Sequence, residues 1–193
     1  MNLHGARDYI LTKLKNELVP FYYYHNVAHT EDVHKAVVRL ADKEQISQNE
    51  LVLLETAAYY HDSGILIKYT GHEEESVKIA KEVLPNFGYS DDDIDIISGM
   101  IFSTYINGQV DTLSKKILCD ADLDYLGRPD YFIIAQRLRL EWNILGEPIS
   151  LKDWYFSQVK YFENHKYHTE SAFNLRNKGK EENLRQIKDL LSL

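Results

Sequence analysis

The stretch at residues 24–37, "YHNVAHTEDVHKAV", puts His25, His29 and His34 within ten residues at the start of an amphipathic pattern. Asn26 is a competent N-cap, and Val33, Val37 and Leu40 recur on one face, so a helix is expected from Asn26 onward. His25 then lies just outside that helix and His29 in its first turn. His34 follows five residues later, roughly 500° around the helix axis, and is expected to point away from His29 as a bystander. Thirty-two residues beyond His29, "AAYYHDSG" sets His61 beside Asp62 after the apolar run "LVLLETAAYY". Burying an ionised aspartate behind such a run is costly unless a cation or hydrogen bonds compensate it. A third acidic piece, "CDADLDYLG", carries Asp120, Asp122 and Asp124.

Helical periodicity surrounds all three pieces, and no alternating strand or internal repeat interrupts it. A first helix is expected over Ala6–Leu18, stopped by Pro20. A third starts after Ser47, leads through Leu51, Leu54 and Ala58 to the His61–Asp62 pair, and has Gly64 as its terminator. A fourth follows Gly71 in "HEEESVKIAKEVL", and a fifth follows Ser90 with Ile94, Ile97 and Ile101 on one face. The sixth is expected over Leu113–Leu126, ending at Gly127. The seventh runs from near Pro129 to about Leu145, and two more cover residues 150–166 and 170–192. The fold class is therefore all-α: one compact domain, residues 1–193, of eight or nine helices. The motif region spans about 21–146, with the helices of 150–192 packed on it.

Two histidines and two aspartates on separate helices would make a mixed nitrogen and oxygen site for one divalent ion. Mn, Fe, Co, Ni or Zn suit such donors, and Mg is also compatible. The candidates are His29, His61, Asp62 and an aspartate of "CDADLDYLG"; helical bundles build metal sites from inward-facing side chains in this way.

In the order "YHNVAHTEDV", "YYHDSG", "LCDADLDYLGR", the chain resembles the HD-domain superfamily of metal-dependent phosphohydrolases over about residues 21–146. That resemblance implies His29, His61, Asp62 and Asp122 as metal ligands. The opening YHNxxH is also similar to that of cyclic-nucleotide phosphodiesterases, which implies His25 as the general acid for the leaving group. The implied reaction is cleavage of a phosphoester or phosphoanhydride bond by metal-activated water, with Asp62 or Asp122 orienting or deprotonating that water. Relatives with two metals place further histidines after the His-Asp pair. Here His72, followed by Glu73, stands nearby, and "MIFSTY" offers Ser103 and Thr104 instead. One ion is thus expected, with a second not favoured.

His72 and Glu73 are alternatively substrate or water contacts, or an acidic helix start. Lys68 is a phosphate contact or an exposed loop lysine, and Arg128 pairs with phosphate or with Asp124. Tyr23, Tyr24, Tyr60, Tyr105 and Tyr125 could stack on a base. His4, His165 and His168 have no partner pattern and are expected at the surface. Two other functions stay open: a catalytically silent metal- or nucleotide-binding regulatory domain, and a di-iron oxygenase.

A net charge of −8 argues against a nucleic-acid backbone or an anionic membrane surface as partner. It does not exclude a small phosphorylated substrate, a nucleotide above all, because a metal supplies local positive charge. One cysteine, Cys119, and no apolar leader or membrane-length run point to a soluble cytoplasmic protein. The helices after residue 150 could form a lid, a homodimer surface or plain packing.

Overall fold

The computed structural model describes residues 1–105, 108–146 and 148–192. Among them the chain is all-helical and forms a single domain of nine α-helices. These are α1 (Leu3–Glu17), α2 (Val27–Lys43), α3 (Gln48–Tyr60), α4 (His72–Val83), α5 (Asp91–Ser103), α6 (Leu113–Asp122), α7 (Tyr131–Leu145), α8 (Leu151–Asn164) and α9 (Glu170–Leu191). No helix among the described residues is long and apolar enough to cross a membrane.

The caps fix where the chemistry-bearing residues fall. Asn26 accepts from the backbone N–H groups of Ala28 (2.9 Å) and His29 (3.3 Å), which starts α2 and leaves His25 outside it. Ser47 caps α3, and Ser90 with Asp93 forms a reciprocal capping box on α5. The apolar faces of α2 (Val33, Val37, Leu40) and α5 (Ile94, Ile97, Ile101) are buried in one core with α1, α3 and α4. A second apolar cluster joins Tyr24, Tyr125 and Leu126 to Tyr131, Trp154, Phe162 and Ile187 of α7, α8 and α9.

Three boundaries differ from expectation. Asn2 caps the first helix through the Gly5 N–H, so α1 begins at Leu3 rather than Ala6. α3 ends at Tyr60, and Gly64 lies beyond it in a 3₁₀ turn, Ser63–Leu66, rather than terminating it. Gly64 serves close approach instead: a Cβ there would lie 1.9 Å from the His72 carbonyl oxygen. Its N–H donates to Ser76 Oγ at 2.8 Å, so the start of α4 is drawn against the His61–Asp62 turn. The sixth helix stops at Asp122, four residues early, and a 3₁₀ turn over Asp124–Gly127 replaces its expected end. That turn is pressed against α9, where a Cβ on Gly179 would lie 2.2 Å from the Gly127 carbonyl oxygen.

The early stop separates the three aspartates of "CDADLDYLG". Asp120 is buried and accepts from the His168 N–H, the Thr169 N–H and the Thr169 hydroxyl at 2.7–2.8 Å, bracing the α8–α9 junction. Asp124 is held by Arg39 (2.8 Å) and by a two-pronged contact from Arg176 (2.7 and 2.9 Å). Only Asp122 faces the histidines. Asp120→Ala strands three donors, two of them buried, so its denaturant midpoint is expected to fall by an amount equivalent to about 2–4 kcal/mol. Metal content measured on the folded fraction should not change.

Candidate functional site

The end of α3, the first turn of α2 and the last residue of α6 bring His61, Asp62, His29 and Asp122 together. His29 Nε2 lies 3.2 Å from Asp62 Oδ2 and 3.1 Å from Asp122 Oδ1. His61 Nε2 lies 3.1 Å from Asp62 Oδ2 and 3.7 Å from Asp122 Oδ1. His61 is completely buried, and its Nδ1 faces the Ala58 carbonyl oxygen at 2.8 Å, which directs Nε2 toward the carboxylates.

These four residues fit a divalent ion. Both Nε2 atoms are buried without a properly aligned hydrogen-bond partner, although carboxylate oxygens surround them. Bonds of about 2.0–2.2 Å to a central ion would space neighbouring donor atoms by roughly 3–3.5 Å, close to the separations here. His29, His61 and Asp122 thus form a group that could hold a metal.

The charges respond to that crowding. Burial opposes protonation of His29, but Asp122 and Asp62 outweigh it and raise its pKa. Burial likewise opposes protonation of His61, yet Asp62 and Asp122 hold its pKa well above the ordinary histidine value. Burial pushes the Asp62 carboxyl up, but His61, His29 and His72 hold it well below the usual carboxylate range. A metal needs both imidazoles neutral, so it competes with the protons that the two carboxylates favour there. Apparent metal affinity should therefore rise with pH between 6 and 8, by about one to two log units per pH unit. Calorimetry in buffers of different ionisation enthalpy would record the released protons; a pH-independent affinity would contradict this cluster.

Asp62 also faces the opposite way. Its Oδ1 lies 3.2 Å from Nε2 of His72, whose Nδ1 donates to the Tyr69 carbonyl oxygen at 2.8 Å. Burial opposes protonation of His72, but Asp62 lifts its pKa to about 9. The His25 ring packs at 5.3 Å, centroid to centroid, from His72 and at 6.1 Å from His29. His25, Asp62 and His72 make a second group of metal-ligand type, sharing Asp62 with the four-residue cluster.

Sequence reasoning missed Glu141. This α7 carboxylate is fully buried, and its Oε1 pairs with Nδ1 of His25. Its Oε2 accepts from the backbone N–H of Tyr24 (2.8 Å) and of His25 (3.0 Å). His25 is thereby oriented from below, with Nε2 as its uncommitted nitrogen.

A cavity of about 370 Å³ opens over this arrangement. His25, Asp62, His72, Glu73 and Asp122 line it together with Tyr24, Tyr125, Leu138, Trp142, Trp154 and Tyr161. Glu73 presents a buried Oε2 without a hydrogen-bond partner.

The remaining sequence candidates fall elsewhere. Lys68 does not line the cavity; it pairs with Glu74 and Glu75 at 3.3 Å each. Arg128 pairs with Asp130 (2.6 Å) and Asp32 (3.1 Å), not with Asp124. It lines a narrow cleft with Tyr23 and Arg137 that also reaches His29 and Asp122. Tyr60 is core, its hydroxyl donating to the Ala6 carbonyl oxygen. His34 meets Glu55 at 2.6 Å and stacks on Tyr59, away from the site. His4 and His168 are exposed, but His165 is half-buried, and burial beside Lys180 lowers its pKa to about 4.

The HD domain family model matches residues 26–124, which include His29, His61, Asp62 and Asp122 but not His25. A curated Clostridium beijerinckii protein, described as uncharacterized, is 34% identical over 76 residues. That match takes in 38% of this chain and 48% of the relative, so the chain spans about half the relative's length. A predicted HD superfamily hydrolase from an uncultured Thermotogales bacterium shares the fold (TM-score 0.64, 20% identity, 99% of this chain and 92% of that one). So does Bacillus subtilis YpgQ, solved in complex with ADP (TM-score 0.69, 22% identity, 98% and 95%). A Lactobacillus plantarum protein does too (TM-score 0.70, 20% identity, 99% and 97%). With the His-Asp cluster on three helices and a family match over more than half of its length, this chain belongs to the HD domain family.

Proposed function

We propose that the protein is a metal-dependent phosphohydrolase acting on a phosphoester or phosphoanhydride bond of a small molecule, a nucleotide by preference. The observation that carries this is an imidazole, His25, held by a buried carboxylate and lining the same cavity as Asp62 and Asp122 of the four-residue cluster. His29, His61, Asp62 and Asp122 would hold one divalent ion, which when bound polarises a phosphoryl oxygen and acidifies water.

The chain's own residues supply the rest. Glu141 occupies Nδ1 of His25, so a proton on Nε2 points into the cavity and passes to the departing oxygen. Glu73, with an unpartnered buried oxygen on the cavity wall, accepts the hydrogen bond that orients the attacking water. His72, tied to the Tyr69 carbonyl oxygen through Nδ1, holds the Asp62 carboxylate in place through Nε2. We favour one ion over two because His25 is committed through Nδ1 to Glu141, and its other nitrogen is needed for the proton. The nucleotide preference draws on the aromatic wall and on the ADP complex of the Bacillus subtilis neighbour.

Hydrolysis of a panel of nucleotides and simple phosphoesters with Mn²⁺ or Co²⁺, repeated on His61→Ala, tests this. Turnover in the wild type that disappears in the variant is expected. Binding without turnover across the panel would instead identify a silent regulatory domain, and two irons per chain would favour an oxygenase.

A further inference from the structure

The His-Asp cluster has a second opening besides the cavity of about 370 Å³. Asp62 and Asp122 line that cavity, whereas His29 and Asp122 line the narrow cleft that also holds Asp32, Arg128 and Arg137. Asp122 therefore stands between the two spaces, and Tyr24 and Tyr125 border both. The cleft has room for roughly one or two waters at about 40 Å³, too little for an organic substrate. A ligand seated in the cavity would cover the cluster from that side and leave the cleft as the path for a small ion.

One ion pair crosses this cleft. Arg128 lies between the second 3₁₀ turn, Asp124–Gly127, and α7, and its Nη1 reaches Asp32 of α2 at 3.1 Å. The arginine is anchored independently of that contact. Its Nε and Nη2 grip Asp130 at 2.8 and 2.6 Å, and its carbonyl oxygen accepts from Asn183 Nδ2 of α9 at 2.9 Å. The Asp32 side chain is 39% exposed and that of Arg128 24%, against 9% for His29. The bridge thus lies at the outer end of the cleft and the imidazole at its inner end. A half-exposed pair of this kind contributes little to stability, so it can part without unfolding α2 or α7.

We propose that the Arg128–Asp32 bridge is a gate on this second path to the metal centre, closing the cleft to exchange of the ion and opening when the pair parts. While the bridge is made, the guanidinium spans the outlet and the ion is retained beneath it. When it parts, His29 and Asp122 become reachable from solvent without passage through the substrate cavity. This rests on the metal-site reading above and adds a route and a retention device to it.

Release of Zn²⁺ from the loaded full chain to an excess of a chromogenic chelator measures the gate without any turnover. Arg128→Gln and Asp32→Asn each remove the bridge from one side, and neither residue is among the four ligands. Both should speed release by about three- to fivefold, the range open to a surface ion pair. Equilibrium affinity should stay within about twofold, because a gate speeds entry as much as exit. Raising KCl from ~0.05 M to ~0.5 M should speed wild-type release and leave both variants unchanged, because salt screens an exposed pair. Charge alone would move the two variants in opposite directions, since one loses a cation and the other an anion. Opposite shifts, unchanged release from both variants, or an affinity that falls as far as release rises would overturn the gate. A wild type that takes up no Zn²⁺ would contradict the metal site and the gate together, a result distinct from unchanged release by a loaded chain.

Discussion

Asp62→Asn is expected to keep the fold, empty the metal site and lower phosphoester turnover by about three orders of magnitude or more. The substitution preserves shape but removes the carboxylate that faces His29, His61 and His72 at 3.1–3.2 Å. A neutral amide can still present its carbonyl oxygen, but with one less negative charge among three imidazoles. The histidine pKa values, now held up by Asp62, should fall toward or below the ordinary value because burial is then less opposed. Metal analysis, circular dichroism and steady-state rates on the same preparation check all three parts. Wild-type metal content in the variant would show that Asp62 is not a ligand.

Removing the imidazole that faces the cluster should leave the metal in place. His25→Ala is expected to lower kcat by about two to four orders of magnitude, with metal content within error of the wild type. Glu141→Gln should lower kcat by about one to two orders, since an amide holds the His25 ring less firmly than the buried carboxylate does. The decisive comparison is the double variant. If Glu141 acts through His25, adding Glu141→Gln to His25→Ala should cost little further rate. Additive losses would mean that Glu141 acts by another route, through its bonds to the Tyr24 and His25 backbone. A less basic leaving group, which needs no proton, should recover much of the His25→Ala loss and little of the Asp62→Asn loss.

The convergence of His29, His61, Asp62 and Asp122 was legible because the three sequence pieces that carry them belong to three different helices, each with clear local signals. The Asn26 cap separated His25 from His29, and the apolar run before His61 announced that the His-Asp pair would be buried. Glu141 was not legible in the same way. It meets His25 across 116 residues, and the one local hint is that it is the sole acid in the helix "YFIIAQRLRLEWNIL". Lys68 looked available for phosphate, but its fate is set by Glu74 and Glu75, which become neighbours only when α4 folds back. The end of α6 was misread because "LDYLG" keeps a helical apolar period. Contacts made from other parts of the chain, Arg39 and Arg176 on Asp124 and the close crossing of Gly127 with α9, end the helix instead. Local pattern placed the residues that face inward, and distant packing decided which of them are partnered.

The opening histidine motif now separates by environment. His34 rests on Tyr59 and Glu55, His29 faces two carboxylates, and His25 faces the cavity with Glu141 behind it. The most direct test of that division is the metal content per chain of purified wild type, His29→Ala and His25→Ala, measured beside turnover. The account predicts about one ion in the wild type and in His25→Ala, a strongly depleted His29→Ala, and loss of turnover in both variants. An empty site in His25→Ala, or a fully occupied one in His29→Ala, would contradict it.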